Sequence, residues 1–279
     1  MTKTKIKNIW FHLFILGMAL IMLYPLIWMI SSSFKSNNEI FHSSGLLPKN
    51  WTFENYLSGW EGTSGYSYAT FFRNSLFIVG LSIIGNISSC LLAAYAFAKL
   101  KFPLKSLWFA IMMGTLMLPM HVKLIPQYIM YNNFDWVNTY LPLIVPKFLA
   151  TDGFFIFLMT QFIRGLPKEI DEAAIVDGCG SFRLFAKIVV PLSVPAIVTT
   201  SIFTFIWTWN DFFSQMIYIS KVQLYTVSIA LRQFVDAMGN SSWGGLFAMS
   251  VVSLVPLFLM FVIFQNYLVE GITAGSVKG

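Results

Sequence analysis

Apolar residues run almost unbroken through six stretches of the chain, 8–30, 74–98, 107–131, 140–163, 188–209 and 246–268, and polar residues gather between them. Each run supplies about the 20 helical residues needed to cross a hydrocarbon core. The pattern predicts an all-α membrane protein with six transmembrane helices in one domain, 1–279. Connections at 99–106 and 132–139 are tight. Segments 31–73 and 210–245 are long and rich in Gly, Ser, Asn and Trp, a composition suited to function more than to linking. The third run carries Pro119 and Pro126 around His121 and Lys123. Proline kinks a span and frees a carbonyl, which is tolerated only where protein or a water-filled cavity satisfies the backbone.

Composition agrees with this pattern. The 279 residues are 57% apolar and 11% charged, with 28 Phe, 14 Met and 9 Trp, and a mean hydropathy of +0.69. The leader Lys3, Lys5 and Lys7 has the charge of a secretory signal, but the apolar run behind it is too long and no small-residue cleavage site follows. The first span is therefore expected to be retained. With the N-terminus in the cytosol, the inner segments hold Lys3, Lys5, Lys7, Lys99, Lys101, Lys105, Arg164, Lys168, Arg183, Lys187 and Lys278, most of the 18 Lys and Arg. The positive-inside rule thus puts both termini in the cytosol. The formal charge of +6 reflects topology; no basic run interleaves with aromatics as a nucleic-acid footprint would. Cys90 falls mid-span and Cys179 in a cytosolic loop, so the two are expected to stay reduced.

The loop at 164–187 is a polar island. It sets Arg164, Lys168, Arg183 and Lys187 against Glu169, Asp171, Glu172 and Asp177, which cancel. Anionic lipid headgroups attract a net positive surface, so a balanced cluster suits a protein partner better. Pro167 fits a first helical turn, and Lys168–Asp177 favours helix with its acids near the positive end. Gly178 fits the left-handed closing position, and Ser181 is placed to cap a second helix over 183–189 that ends at Pro191. Ile170, Ala173, Ala174 and Asp177 share a face. The expected object is a helix–turn–helix knob.

Glu172-Ala173-Ala174, then three residues, Gly178, nine residues, and Ile188-x-Val190-Pro191 resembles the E-A-A-x3-G-x9-I-x-L-P signature of ABC importer permeases, with Val190 for Leu the one departure. Phe102-Pro103, Gly165–Glu169, Trp207–Phe212 (Asp211 stands where many relatives have Glu) and the tail 269–279 extend the likeness to maltose-type sugar permeases, in particular the smaller six-span channel subunit. The resemblance implies that Glu172, Ala173, Ala174, Asp177 and Gly178 form a coupling helix against an ATP-binding subunit. It also implies that Thr273, Ala274 and Gly275 of the tail contact the ATPase dimer. The implied partners are a second homologous permease subunit, two ATP-binding subunits, an extracytoplasmic sugar-binding protein and membrane lipid, in a bacterial cytoplasmic membrane. ATP and Mg would sit on the partner; the chain lacks a G-x-x-x-x-G-K-[ST] loop and is expected to be a non-catalytic channel subunit with no metal and no cofactor of its own.

Sugars need aromatic faces and polar groups for their hydroxyls. Trp207, Trp209, Asn210 and Asp211 offer that set at the end of the fifth run, and they equally suit an interfacial aromatic belt. Lys147 and Asp152 in the fourth run, with Lys123 in the third, are ionisable groups at membrane depth, which usually face an interior or a path. Three roles stand open for Lys147: snorkelling to the interface, pairing with Asp152, and meeting a substrate. The family resemblance extends to relatives carrying uronate-containing oligosaccharides, and a buried cation suits a carboxylate. An acidic oligosaccharide is therefore expected, with a neutral one as the alternative. A secondary transporter would show inverted repeats and ion-coupling acids, neither of which the sequence has; a membrane assembly factor would not need the full coupling signature.

Overall fold

The computed structural model describes residues 3–43, 45–62, 64–235 and 241–274. All its regular elements are helices. In chain order they are α1 (Lys3–Ser32), α2 (Asn37–His42), α3 (Glu54–Glu61), α4 (Tyr68–Lys99), α5 (Lys105–Leu116), α6 (Met120–Asn133) and α7 (Leu141–Ile144), which runs into a 3-10 stretch, Val145–Leu149. Then come α8 (Gly153–Gly165), α9 (Lys168–Val176) and α10 (Ser181–Leu184), the last followed by a π-helical stretch, Phe185–Val189. The series closes with α11 (Val190–Leu192), α12 (Val194–Asn210), α13 (Phe213–Tyr218), a 3-10 turn at Val222–Leu224, α14 (Val227–Arg232) and α15 (Trp243–Ala274).

Among the described residues, four stretches are long and apolar enough to cross a membrane: Phe11–Ser32, Tyr68–Lys99, Leu141–Gly165 and Trp243–Gln265. Two bent pairs raise the number to six if each is one span. The third expected span, 107–131, is broken into α5 and α6 at 102°. Pro119 supplies no N–H at the junction and holds an extended backbone, φ −56° and ψ 139°. Pro126, by contrast, is accommodated inside α6. The fifth expected span, 188–209, is bent by 72° between Ser181–Leu192 and α12, at Ser193, between Pro191 and Pro195. Helix α15 continues to Ala274, so the first residues of the expected tail 269–279 are helical.

The chain divides into two compact units. In the first, Met1–Ala69 with Ala230–Val255, the rings of Trp28 and Phe247 meet at 5.2 Å, and Tyr68 Oη and Ser253 Oγ lie 2.9 Å apart. Gly244 packs closely on Asn55 there, and an added Cβ would fall 2.3 Å from Asn55 Oδ1, so that amide would have to shift. Lys35 is buried and its Nζ donates to Gly45 O at 2.6 Å.

The second unit, Thr70–Ile229 with Pro256–Gly279, is organised along α4. Toward one end, Ile78 joins Tyr131, Leu143, Ile144, Tyr218 and Ile219 in an apolar cluster. Toward the other, Cys90, Leu91, Ala94 and Tyr95 pack with Phe155, Met159 and Ile163 of α8 and with Ala174, Leu184 and Val189. Midway, Asn86 Nδ2 donates to Thr204 Oγ1 of α12 at 3.1 Å, with both residues buried.

Candidate functional site

A cavity of about 380 Å³ opens within the second unit, lined by Ile78, Leu143, Lys147, Ile206, Trp207, Thr208, Asn210, Asp211 and Gln215. The fourth stretch shapes one wall. Pro146 and the left-handed Ala150 (φ 53°) interrupt it, so it passes from α7 through a 3-10 turn before α8 begins. Lys147 sits in that turn, and its Nζ lies 2.8 Å from Asp152 Oδ2. Helix α4 supports the turn from behind: Ser89 Oγ donates to Lys147 O at 2.7 Å. Gly85 is also required there, since a Cβ would stand 2.8 Å from Phe148 Cδ2 and 3.0 Å from Lys147 C.

The end of α12 supplies a further part of the wall. Trp207 is braced by Phe154, Phe155 and Phe203 at 5.3, 5.1 and 5.7 Å, yet stays 49% exposed. Asp211 Oδ1 accepts from Ser214 N at 3.0 Å, which fixes the carboxylate at the start of α13. Gln215 is buried; its Nε2 donates to Thr208 O at 3.1 Å and its Oε1 accepts from Ser228 Oγ at 2.8 Å and from Thr226 Oγ1. This arrangement offers an aromatic face, amides, a carboxylate and an ammonium around one space, which is the chemistry for polyhydroxylated ligands.

Of the sequence-derived pathway residues, the cavity gathers Lys147, Trp207, Asn210 and Asp211. Asp152 reaches it only through Lys147. Trp209 stands elsewhere: it is buried, stacked on Phe205 at 5.6 Å and edge-on to Phe72 at 5.4 Å. Lys123 is exposed on α6 and does not line the cavity. Thr208 and Gln215 were not foreseen. Thr208 follows Thr200 and Thr204 at four-residue spacing, a helical face legible in the sequence; Gln215 lies beyond the span and carried no such signal.

The knob takes nearly the expected form. Helix α9 ends with Cys179 N donating to Ala174 O at 2.9 Å and Gly178 N to Ile175 O at 3.0 Å, with Gly178 at φ 76°. This is the Schellman closure that favours glycine. Pro167 sits one residue outside the helix, as its cap. The second helix is capped at Gly180, not Ser181, and Pro191 does not end it, because the chain passes through π geometry into α11 before breaking at Ser193. The expected shared face also divides. Ala174 is turned into the chain's own core, whereas Glu172, Ala173, Asp177 and Gly178 are exposed. Beside them Ile175, Val176 and Phe182 are open apolar surface, at 62%, 87% and 79%. Thr273 and Ala274 lie in the last turn of α15; Gly275 falls outside the described residues.

The family profile for binding-protein-dependent transport system inner membrane components matches residues 67–273. A probable ABC transporter permease protein of Bacillus subtilis is 37% identical over 98% of this chain and 88% of its own length. The trehalose/maltose transport system permease protein of Thermococcus litoralis is 32% identical over 94% of each chain. The arabinooligosaccharides transport system permease protein of Halalkalibacterium halodurans is 30% identical over 94% of this chain and 93% of its own. Among solved structures, a chain of a bacterial ABC transporter involved in the import of the acidic polysaccharide alginate superposes with a TM-score of 0.82 at 20% identity. The match covers 96% of this chain and 98% of that one, a likeness of fold.

Proposed function

We infer the function from one premise: the chain belongs to the family of binding-protein-dependent transport system inner membrane components. It is the membrane-embedded permease subunit of an ABC importer for sugars of the oligosaccharide class. Beyond this, we propose that the importer carries an oligosaccharide bearing uronate units. The observation behind that reading is Lys147, the one cation on the cavity wall among the described residues. Its ammonium has three N–H groups; Asp152 takes one, leaving donors for a substrate carboxylate, while Trp207 faces a sugar ring and Asn210 its hydroxyls.

In this reading both termini and the 164–187 knob face the cytosol. A binding protein delivers the sugar from outside. Two ATP-binding subunits hold ATP and Mg, and one of them receives Glu172, Ala173, Asp177 and Gly178, with Thr273, Ala274 and Gly275 as further contacts. A second permease subunit completes the channel. ATP-driven closure moves the knob, and the cavity opens alternately to the two sides.

A second reading, a neutral oligosaccharide, is favoured by the charge balance. Asp152 already neutralises Lys147, Asp211 adds a further carboxylate to the wall, and trehalose, maltose and arabinooligosaccharides, for which relatives are named, carry no ionised group. ATP hydrolysis by the reconstituted complex, measured across matched neutral and uronate oligosaccharides, separates the two. Stimulation by the acidic set alone supports the first reading. Stimulation by neutral sugars establishes the second, and silence from both refutes the oligosaccharide assignment.

A further inference from the structure

Both arms of the knob are fastened to the same stretch of α4. Tyr95 and Lys99 stand four residues apart, on one face of that helix. Lys99 Nζ lies 2.5 Å from Asp171 Oδ2 of α9, with the two side chains 12% and 18% exposed. On the far side of the Gly178 turn, Tyr95 Oη donates to Ser181 O at 2.9 Å, and its ring packs 5.1 Å from that of Phe185. Between these points, Ala174 and Leu184 share an apolar cluster with Leu91, Ala94 and Tyr95. A knob held by apolar contact alone can swivel about its glycine. One held by a directional polar bond on each arm moves only with the helix it is bonded to.

Helix α4 in turn reaches the cavity. From Lys99 back to Ile78 on the wall it rises about 32 Å at 1.5 Å per residue. On the way, Asn86 is bonded to Thr204 of α12, and the last turn of α12 supplies Trp207, Thr208 and Asn210 to the cavity. We propose that Lys99 and Tyr95 are positioning residues that make α4 the lever between knob and cavity. The inference rests on reading 164–187 as an ATPase-docking segment. Removing the Lys99 ammonium leaves the Asp171 carboxylate in its semi-buried place without a counter-charge, an unfavourable state. The first arm then loosens while the apolar cluster keeps the knob attached, so assembly and hydrolysis survive and the stroke is lost.

The test uses the whole importer in lipid vesicles, with its ATPase subunits and binding protein, read as sugar imported per ATP hydrolysed. Lys99→Met is expected to leave the ATPase subunits co-purifying while lowering sugar per ATP by roughly tenfold. Exchanging the charges, Lys99→Asp with Asp171→Lys, is expected to recover roughly half of the loss, as coupled neighbours do. Tyr95→Phe, which deletes one hydrogen bond and keeps the ring, is expected to lower the ratio a few-fold. Unchanged sugar per ATP in Lys99→Met overturns the proposal, as does an exchanged pair that assembles and recovers nothing. Should Lys99→Met fail to assemble, a short bismaleimide joining Lys99→Cys to Asp171→Cys, with Cys90→Ala and Cys179→Ala, decides the matter. Import persists after cross-linking if knob and helix move as one body; import that stops overturns the lever. A wild-type complex that retains no ATPase subunits overturns the docking reading itself, and the proposal with it.

Discussion

Lys147 Nζ stands 2.8 Å from Asp152 Oδ2, and the chain between them turns through a left-handed alanine at 150. Of the three roles open to this side chain in the sequence, pairing with Asp152 is met, and Lys147 also lines the cavity. Asp152 is then the internal competitor of any substrate carboxylate. Asp152→Asn removes that competitor and keeps the shape, so KM for a uronate oligosaccharide is expected to fall several-fold while KM for a neutral analogue holds. Vesicle uptake over a concentration series measures both. Equal behaviour of the two sugars would separate Lys147 from substrate recognition and leave the pair a structural one.

Ala150 holds φ 53° and ψ 40°, a conformation that costs an L-residue with a Cβ roughly 1–2 kcal/mol. Ala150→Gly removes that cost at the price of a looser unfolded chain, so the net gain is about 1 kcal/mol or less. The thermal midpoint of the detergent-solubilised protein is expected to rise slightly. Ala150→Val, with its branched Cβ, is expected to lower it. A fall with glycine would show that the left-handed turn is not where the strain lies.

Gly85 lets α4 approach the Lys147 turn so closely that a Cβ would fall 2.8 Å from Phe148 and 3.0 Å from the Lys147 backbone. Gly85→Ala must push backbone as well as side chain, a cost of roughly 1–3 kcal/mol for overpacking. It is also expected to raise KM by displacing Lys147. Gly80, on the same helix, has nothing within 4 Å of an added Cβ. Gly80→Ala is accordingly expected to be neutral, or stabilising by up to about 1 kcal/mol through helix propensity. Thermal stability and uptake of the two variants, measured side by side, test the close approach against a general effect of losing glycine.

The helical runs and the knob were legible because each rests on local chemistry: uninterrupted apolar length, Pro167 ahead of a helix, Gly178 behind it. Pro119 announced the break between α5 and α6. Other features were not legible, for reasons that can be named. The left-handed turn at 150 is occupied by alanine, which carries none of the signal that Gly or Asn would. The 72° bend at Ser193 arises between two prolines inside an apolar run that read as a single span. The burial of Ala174 depends on Leu91, Ala94 and Tyr95 of α4, residues distant in sequence. That same packing hands the outward position to Ile175 and Val176.

The sequence offers Trp207 and Trp209 as one aromatic set, yet two residues on a helix are rotated by about 200° at 3.6 residues per turn, so they face opposite sides. Trp207 lies half-exposed on the cavity wall, and Trp209, 3% exposed, is sandwiched against Phe205 and Phe72. Their alanine variants should therefore fail in different ways. Trp209→Ala leaves a large void in a packed region and is expected to cost about 3–5 kcal/mol, seen as a lower thermal midpoint and reduced yield. Whatever protein survives should bind sugar with near-normal KM. Trp207→Ala removes a ring already partly open to the cavity, so stability changes less while KM for transport rises roughly tenfold or more, as loss of an aromatic contact to a ligand does. Thermal unfolding and uptake kinetics on both variants separate the roles. If Trp209→Ala folds normally and loses uptake, the substrate path runs along the other face of α12, and the cavity beside Lys147 is not the one the sugar uses.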